Sequence, residues 1–154
     1  MRRVAWIAFL IVLVLALGTG PAFAQSGHFV GTQTCTDIGT QVRCSGKVAG
    51  LGSTTFQIDV TAQGQATVEC TNPGGNVAPG QTFSFTAAGS SGPLATPRNG
   101  QFRYTVTTDA PTAPAGSCPN PQWTANVVDV SFTSATITLR EDGVISDQVT
   151  VPVT

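Results

Sequence analysis

The chain has 154 residues, seven Lys and Arg against eight Asp and Glu, and only 10% charged residues. That balance leaves no basic patch, so nucleic acid and anionic membrane are poor partners. Many Thr, Gly and Pro, without heptads or helical runs, point to an all-β protein.

The first residues lie outside the fold. Arg2 and Arg3 precede an apolar run from Val4 to Leu17, 14 residues long (17 − 4 + 1). That is shorter than the roughly 20 residues that span a bilayer, which argues against an uncleaved anchor. Ala22-Phe23-Ala24 is a small-x-small cleavage site, so residues 1–24 read as a signal peptide cut before Gln25. Residues 25–154 are then one secreted domain of 130 residues (154 − 24), with five basic and eight acidic side chains. The expected location is extracellular, or periplasmic in a cell with an outer membrane, with no stable membrane anchor after cleavage. Cys35, Cys44, Cys70 and Cys118 all lie in that part, and an even count in an exported chain reads as two disulfides. No C-x-x-C spacing occurs and His28, the single histidine, is remote in sequence, so no metal site is expected. No cofactor motif is visible.

Residues 29–36 and 41–48 read as a hairpin around Gly39-Thr40, a type II′ turn. Its register places Cys35 opposite Cys44 at a non-hydrogen-bonded site, where Cα atoms approach to about 4.5 Å, within bridging distance. Residues 54–62 alternate, with Phe56, Ile58, Val60 and Ala62 on one face. Gln63-Gly64 reads as a turn, and residues 65–71 alternate again with Ala66, Val68 and Cys70 inward. The two runs are expected to form a second hairpin. With a two-residue loop, however, apolar positions on one strand face polar positions on the other. Asn72 to Gly80 reads as a structured loop. Residues 81–87 and 101–108 are strands, separated by a loop from Ala88 to Gly100. Asp109 to Pro121, with four prolines, is a surface loop. Cys118 lies in it and by elimination pairs with Cys70, although four cysteines allow three pairings.

From Gln122 to Phe132 the apolar phase flips between Val127 and Val128, as a β-bulge produces. Residues 134–140 are read as a further strand, Glu141-Asp142-Gly143 as a hairpin turn, and 144–151 as the last strand. Pro152 suggests an edge. About nine strands and no helix argue an antiparallel β-sandwich, immunoglobulin-like in the broad sense, with two disulfides. A small barrel is the alternative.

The strings Cys44-Ser-Gly-Lys-Val-Ala-Gly-Leu-Gly52, Cys70-Thr-Asn-Pro-Gly-Gly-Asn-Val-Ala-Pro-Gly-Gln81 and Cys118-Pro-Asn-Pro-Gln-Trp-Thr-Ala125 resemble a group of small exported bacterial proteins of unassigned function. The resemblance spans nearly the whole of residues 25–154. It implies export and a single β-domain, and it supplies no catalytic residue.

The chemical candidates are few. A His-based triad is disfavoured because His28 sits at the mature N-terminus. Asp59 and Glu69, on adjacent strands of the expected second hairpin, are the one carboxylate pair that a hydrolase would use. A solvated polar face explains them more simply. Glu141, Asp142 and Asp147 lack an ordered calcium spacing. Trp123 opens its strand beside the Pro-rich loop, and core packing is favoured over ligand stacking for its ring. Threonines at alternate positions reflect β-propensity. The best recognition face combines Asn72, Pro73, Gly74, Gly75 and Asn76 with Asn120 and Trp123. Their proximity depends on a Cys70–Cys118 bridge. The expected function is therefore a secreted, non-catalytic binding or interaction module for an extracellular protein or saccharide. Structural envelope, coat or matrix components are the alternative, and a carboxylate-dependent hydrolase is the third reading.

Overall fold

The computed structural model describes residues 27–154; the signal peptide expected at 1–24 lies outside them. The described chain is all-β, with nine strands in two antiparallel sheets and no helix among the described residues. One sheet holds β1 (His28–Asp37), β2 (Val42–Ala49) and β7 (Phe102–Thr107) in the order β1-β2-β7. The other is built on β3 (Thr55–Thr71) and β8 (Thr124–Glu141). Along it β4 (Val77–Pro79), β5 (Phe83–Ser90) and β6 (Leu94–Ala95) pair with β3, and β9 (Val144–Pro152) pairs with β8. The sheets pack as a sandwich around Phe56, Ile58, Val60, Ile137 and Leu139 from one side and Val42, Cys44, Val48, Tyr104 and Val106 from the other.

The β1–β2 register follows the expectation. Asp37 faces Val42 and Cys35 faces Cys44, and the bridge between the cysteines spans a Cα–Cα distance of 4.1 Å. Gly39 takes a φ of 99°, as the first loop position of a type II′ turn requires.

The expected turn at Gln63-Gly64 does not exist. Thr55 to Thr71 is one strand, paired along nearly its whole length with β8. The physical reason lies in the phase. Phe56, Ile58, Val60, Ala62, Ala66, Val68 and Cys70 are all even-numbered and all buried. A straight strand puts them on one face, whereas a two-residue turn would set each against a polar partner. Gly64 serves packing instead of turning. A Cβ there would lie 2.8 Å from Val130 Cγ1 and 2.9 Å from ring carbons of Phe132 and Phe85.

β8 is likewise one strand where a break near residue 133 was expected. It meets the unbroken even face of β3 by shifting register twice, against Thr67/Val68 and against Ala62/Gly64. The first shift leaves Val128 as the extra residue, at the place where the apolar phase flips. The second lets both Phe132 and Ala135 face inward. Two bulges thus bring Val127, Val130, Phe132, Ala135, Ile137 and Leu139 to the same side.

β4 and β6 are short strands within segments expected to be loops. β1 carries a bulge between Val30 and Thr34, filled by the buried Gln33. Gln33 Nε2 donates to the carbonyls of Val30 and Gly31 (3.0 and 3.1 Å), and its Oε1 accepts from the Tyr104 hydroxyl (2.7 Å). The polar cluster satisfies itself, as a buried amide requires.

Candidate functional site

The two longest strands outrun the smaller sheet. Seventeen residues of β3 extend roughly 56 Å at ~3.3 Å each. The β1–β2 turn reaches as far as Val130, whose N–H donates to the Gly39 carbonyl (3.1 Å). Beyond that point Val68 and Cys70 are still buried, yet they stand apart from the main core cluster. Ser117 and Cys118 of the 108–123 loop lie against Cys70, and Gly80 lies against both Val68 and Cys70, as a cover.

Cys70–Cys118 holds that cover down, with a Cα–Cα distance of 5.7 Å. The Gln81 N–H donates to the Ser117 carbonyl (3.0 Å) and the Gly80 N–H to the Val68 carbonyl (2.8 Å). Ser117 Oγ donates to the Pro114 carbonyl (2.8 Å), closing a turn within the loop. A cleft of about 350 Å³ is lined by Pro114, Ser117, Asn120, Pro121, Trp123 and Ala125 among others. That volume is at the lower end of small-ligand sites.

Trp123 is half-buried and does not join the core. Its expected core placement fails because Trp123 precedes β8 on the stretch of sheet that the smaller sheet does not cover. Asn120 arranges the approach to β8: its Oδ1 accepts from the Gln122 N–H (2.9 Å) and its carbonyl from the Trp123 N–H (3.0 Å).

The two expected recognition loops share one end of the sheet, but only one lines the cleft. Asn72 follows Thr71, which pairs with Thr124, so the chain leaves β3 beside Trp123. Asn72, Pro73, Gly74, Gly75 and Asn76 then form a self-contained turn, in which Asn72 Oδ1 accepts from the Asn76 N–H (2.9 Å) and the Asn72 carbonyl from the Gly75 N–H (2.9 Å). Pro73 to Asn76 are exposed at its tip. None of these five residues lines the cleft.

The other candidates are occupied or separated. Asp59 and Glu69 lie on the same strand, ten positions apart, which is roughly 33 Å along an extended chain. Their joint use as a hydrolytic pair depended on the turn that is absent. Glu141 is fully buried, with Oε2 accepting from the Gly27 N–H (2.9 Å) and Oε1 from the N–H groups of Gly52 (2.9 Å) and Ser53 (3.3 Å). Burial pushes its pKa up, but the Gly52, Gly27 and Ser53 amides more than offset this and hold it below the usual carboxylate range. Asp142 accepts from the N–H and hydroxyl of Thr55 (2.9 and 3.0 Å), which lower its pKa despite partial desolvation. Asp147 Oδ2 accepts from the Phe29 N–H (2.8 Å). These three carboxylates hold backbone. Among the described residues no group of three or more His, Cys, Asp or Glu is placed to hold a metal. His28 opens β1 and is exposed.

Sequence reasoning missed the partner of Asp59. Arg140 Nε donates to Asp59 Oδ2 (3.0 Å) and Gln57 Nε2 to Oδ1 (2.6 Å). The facing-residue conflict of the supposed hairpin was the available signal, since a single long strand puts β8 beside Asp59.

No protein-family model matches the chain, and no curated protein matches it. Solved structures similar to it include a Bacteroides uniformis β-glucuronidase (13% identity, TM-score 0.32) and a calcium-binding mutant of Bacteroides uniformis β-glucuronidase 2 (15% identity, TM-score 0.31). Each match covers 81% of this chain and spans 14% of the other.

Proposed function

We propose that the protein is a secreted, non-catalytic binding module whose recognition site is the cleft formed by the 113–123 loop and Ala125. The observation that carries this reading is Trp123, half-buried and lining a cleft whose loop is stapled by Cys70–Cys118. A half-buried indole lining one cleft with two prolines and an asparagine suits a ligand with a flat apolar face and a polar rim. An extracellular saccharide or a segment of an exported protein has that character. The bridge supplies preorganisation, which limits the loop entropy lost on binding. Both cysteine pairs are bridged, a state that belongs to an oxidising compartment. The sequence 1–24 supports export to such a place.

The two tryptophans of the full chain are Trp6 and Trp123. A chain of residues 25–154 therefore carries Trp123 as its single indole, and its fluorescence reports on the cleft directly. Titration with neutral oligosaccharides and proline-containing peptides is expected to shift that emission saturably for one class. Isothermal titration calorimetry is expected to show at least tenfold weaker binding of the same ligand by Trp123→Ala. Binding of a panel member with unchanged emission and full affinity in the variant would overturn the assignment of this cleft.

A further inference from the structure

The outer face of the larger sheet carries a second concave site. Cross-strand pairing places Asp59 beside Thr138, and Thr61 beside Thr136 and Ala88. Asp109 borders the depression, fixed by its backbone N–H donating to the Ala88 carbonyl (2.7 Å). The result is a cavity of about 400 Å³ lined by Asp59, Thr61, Ala88, Asp109, Thr138 and Arg140, among others. The cavity shares no lining residue with the Trp123 cleft.

Its polar groups are tied down from one side. Arg140 is held through Nε on Asp59 and through Nη1 to the Gly143 carbonyl (3.4 Å). Thr138 Oγ1 accepts from Gln148 Nε2 (3.1 Å). Among the described residues, Arg140 Nη2, the Thr61 hydroxyl and the Asp109 carboxylate carry no hydrogen bond. These groups supply a guanidinium donor, a hydroxyl and a carboxylate acceptor around an exposed alanine methyl. Asp59 and Arg140 cancel in charge, and Asp109 leaves the site with one net negative charge. An anionic ligand is disfavoured there, and a cation would meet Arg140. A neutral ligand bearing neighbouring hydroxyls fits the set: the carboxylate accepts from two hydroxyls at once, the remaining guanidinium nitrogen donates to a hydroxyl oxygen, and the methyl meets a C–H face. We propose that this shelf is a binding site for an uncharged, hydroxyl-rich ligand of the saccharide class, separate from the Trp123 cleft.

The test is amide chemical-shift mapping of oxidised residues 25–154 titrated with neutral hexose and N-acetylhexosamine trisaccharides, with a uronic-acid trisaccharide as control. Saturable shifts are expected at residues 59–61, 88–90, 109 and 138–140 with a neutral sugar, and weaker ones with the acid. Arg140→Gln and Asp109→Asn are expected to reduce affinity about tenfold, the loss of one charge-assisted hydrogen bond. Thr61→Val removes a hydroxyl at nearly constant shape and is expected to weaken binding in the same direction. Trp123→Ala is expected to leave these shifts in place, so failure of the Trp123 cleft and failure of this shelf are read separately. The proposal is overturned if no neutral sugar perturbs these amides, if shifts cluster only around Trp123, or if Arg140→Gln and Asp109→Asn bind as the parent does.

Discussion

At the scale of single residues, Glu141 and Gly64 decide more than their types suggest. Glu141 gathers amides from the N-terminal stretch and from the turn before β3 onto the end of β8. Replacing it with Gln keeps the shape but loses the charge and sets an amide NH₂ among donors. At pH 7 the loss of stability is expected to be on the order of 2 kcal/mol, measured by urea unfolding. The pH dependence has a definite sign. The folded pKa lies below the unfolded value of about 4.3, so the contribution is complete above that value. It disappears as pH falls from there through the folded pKa. Glu141→Gln is therefore expected to lose most at neutral pH and to approach the parent in acid. A gap that stayed constant with pH would contradict the charge-based account. Gly64 gives a second measurement. Gly64→Ala is expected to destabilise by about 1–3 kcal/mol through overpacking against Val130, Phe85 and Phe132. A solvent-exposed turn glycine free of such neighbours would show a smaller effect.

Among the elements, β3 and the loop from 108 to 123 show how far a sequence pattern reaches. Alternation named the seven buried residues of β3 correctly, from Phe56 to Cys70, and missed only the inward Gly64, because period-two patterning reports the face of a side chain directly. It did not report continuity, because glycine beside glutamine is equally compatible with a turn and with a crowded mid-strand position. The bulge at Val128 was legible because it reverses the apolar phase. The second shift, near residue 133, reads in the sequence as a gap, because a bulge and a loop change the phase alike. The disulfides follow the expected pairing, one from hairpin register and the other by elimination. Their removal should act unequally. Loop-closure entropy assigns about 4 kcal/mol to Cys70–Cys118 and about 2.7 kcal/mol to Cys35–Cys44. Replacing Cys70 and Cys118 with alanine is expected to cause the larger fall in stability and to expose residues 109–121 to limited proteolysis. Loss of Cys35–Cys44 is expected to leave that loop protected.

For the whole molecule, the sandwich depends on ties between its sheets as well as on its core. The end of the chain supplies one: the Thr154 N–H donates to the Cys35 carbonyl (3.1 Å) and the Asp37 N–H to the Thr154 carbonyl (3.0 Å), beside a parallel bridge from Val153 to Cys35. Deleting Val153 and Thr154 is expected to cost about 1–3 kcal/mol and to speed hydrogen exchange along β1 and β9 more than along β3. Uniform acceleration would show that this seam is no local element. The all-β class, the inward faces of most strands and the Cys35–Cys44 pair needed only the sequence, because alternation, turn chemistry and hairpin register are set by residues near one another in the chain; Cys70–Cys118 followed from the sequence by elimination alone. The merging of β3, the buried Glu141 clamp, the Asp59–Arg140 pair and the half-exposed Trp123 needed the tertiary structure. Each depends on which distant segment lies alongside, and local periodicity carries no information about that choice.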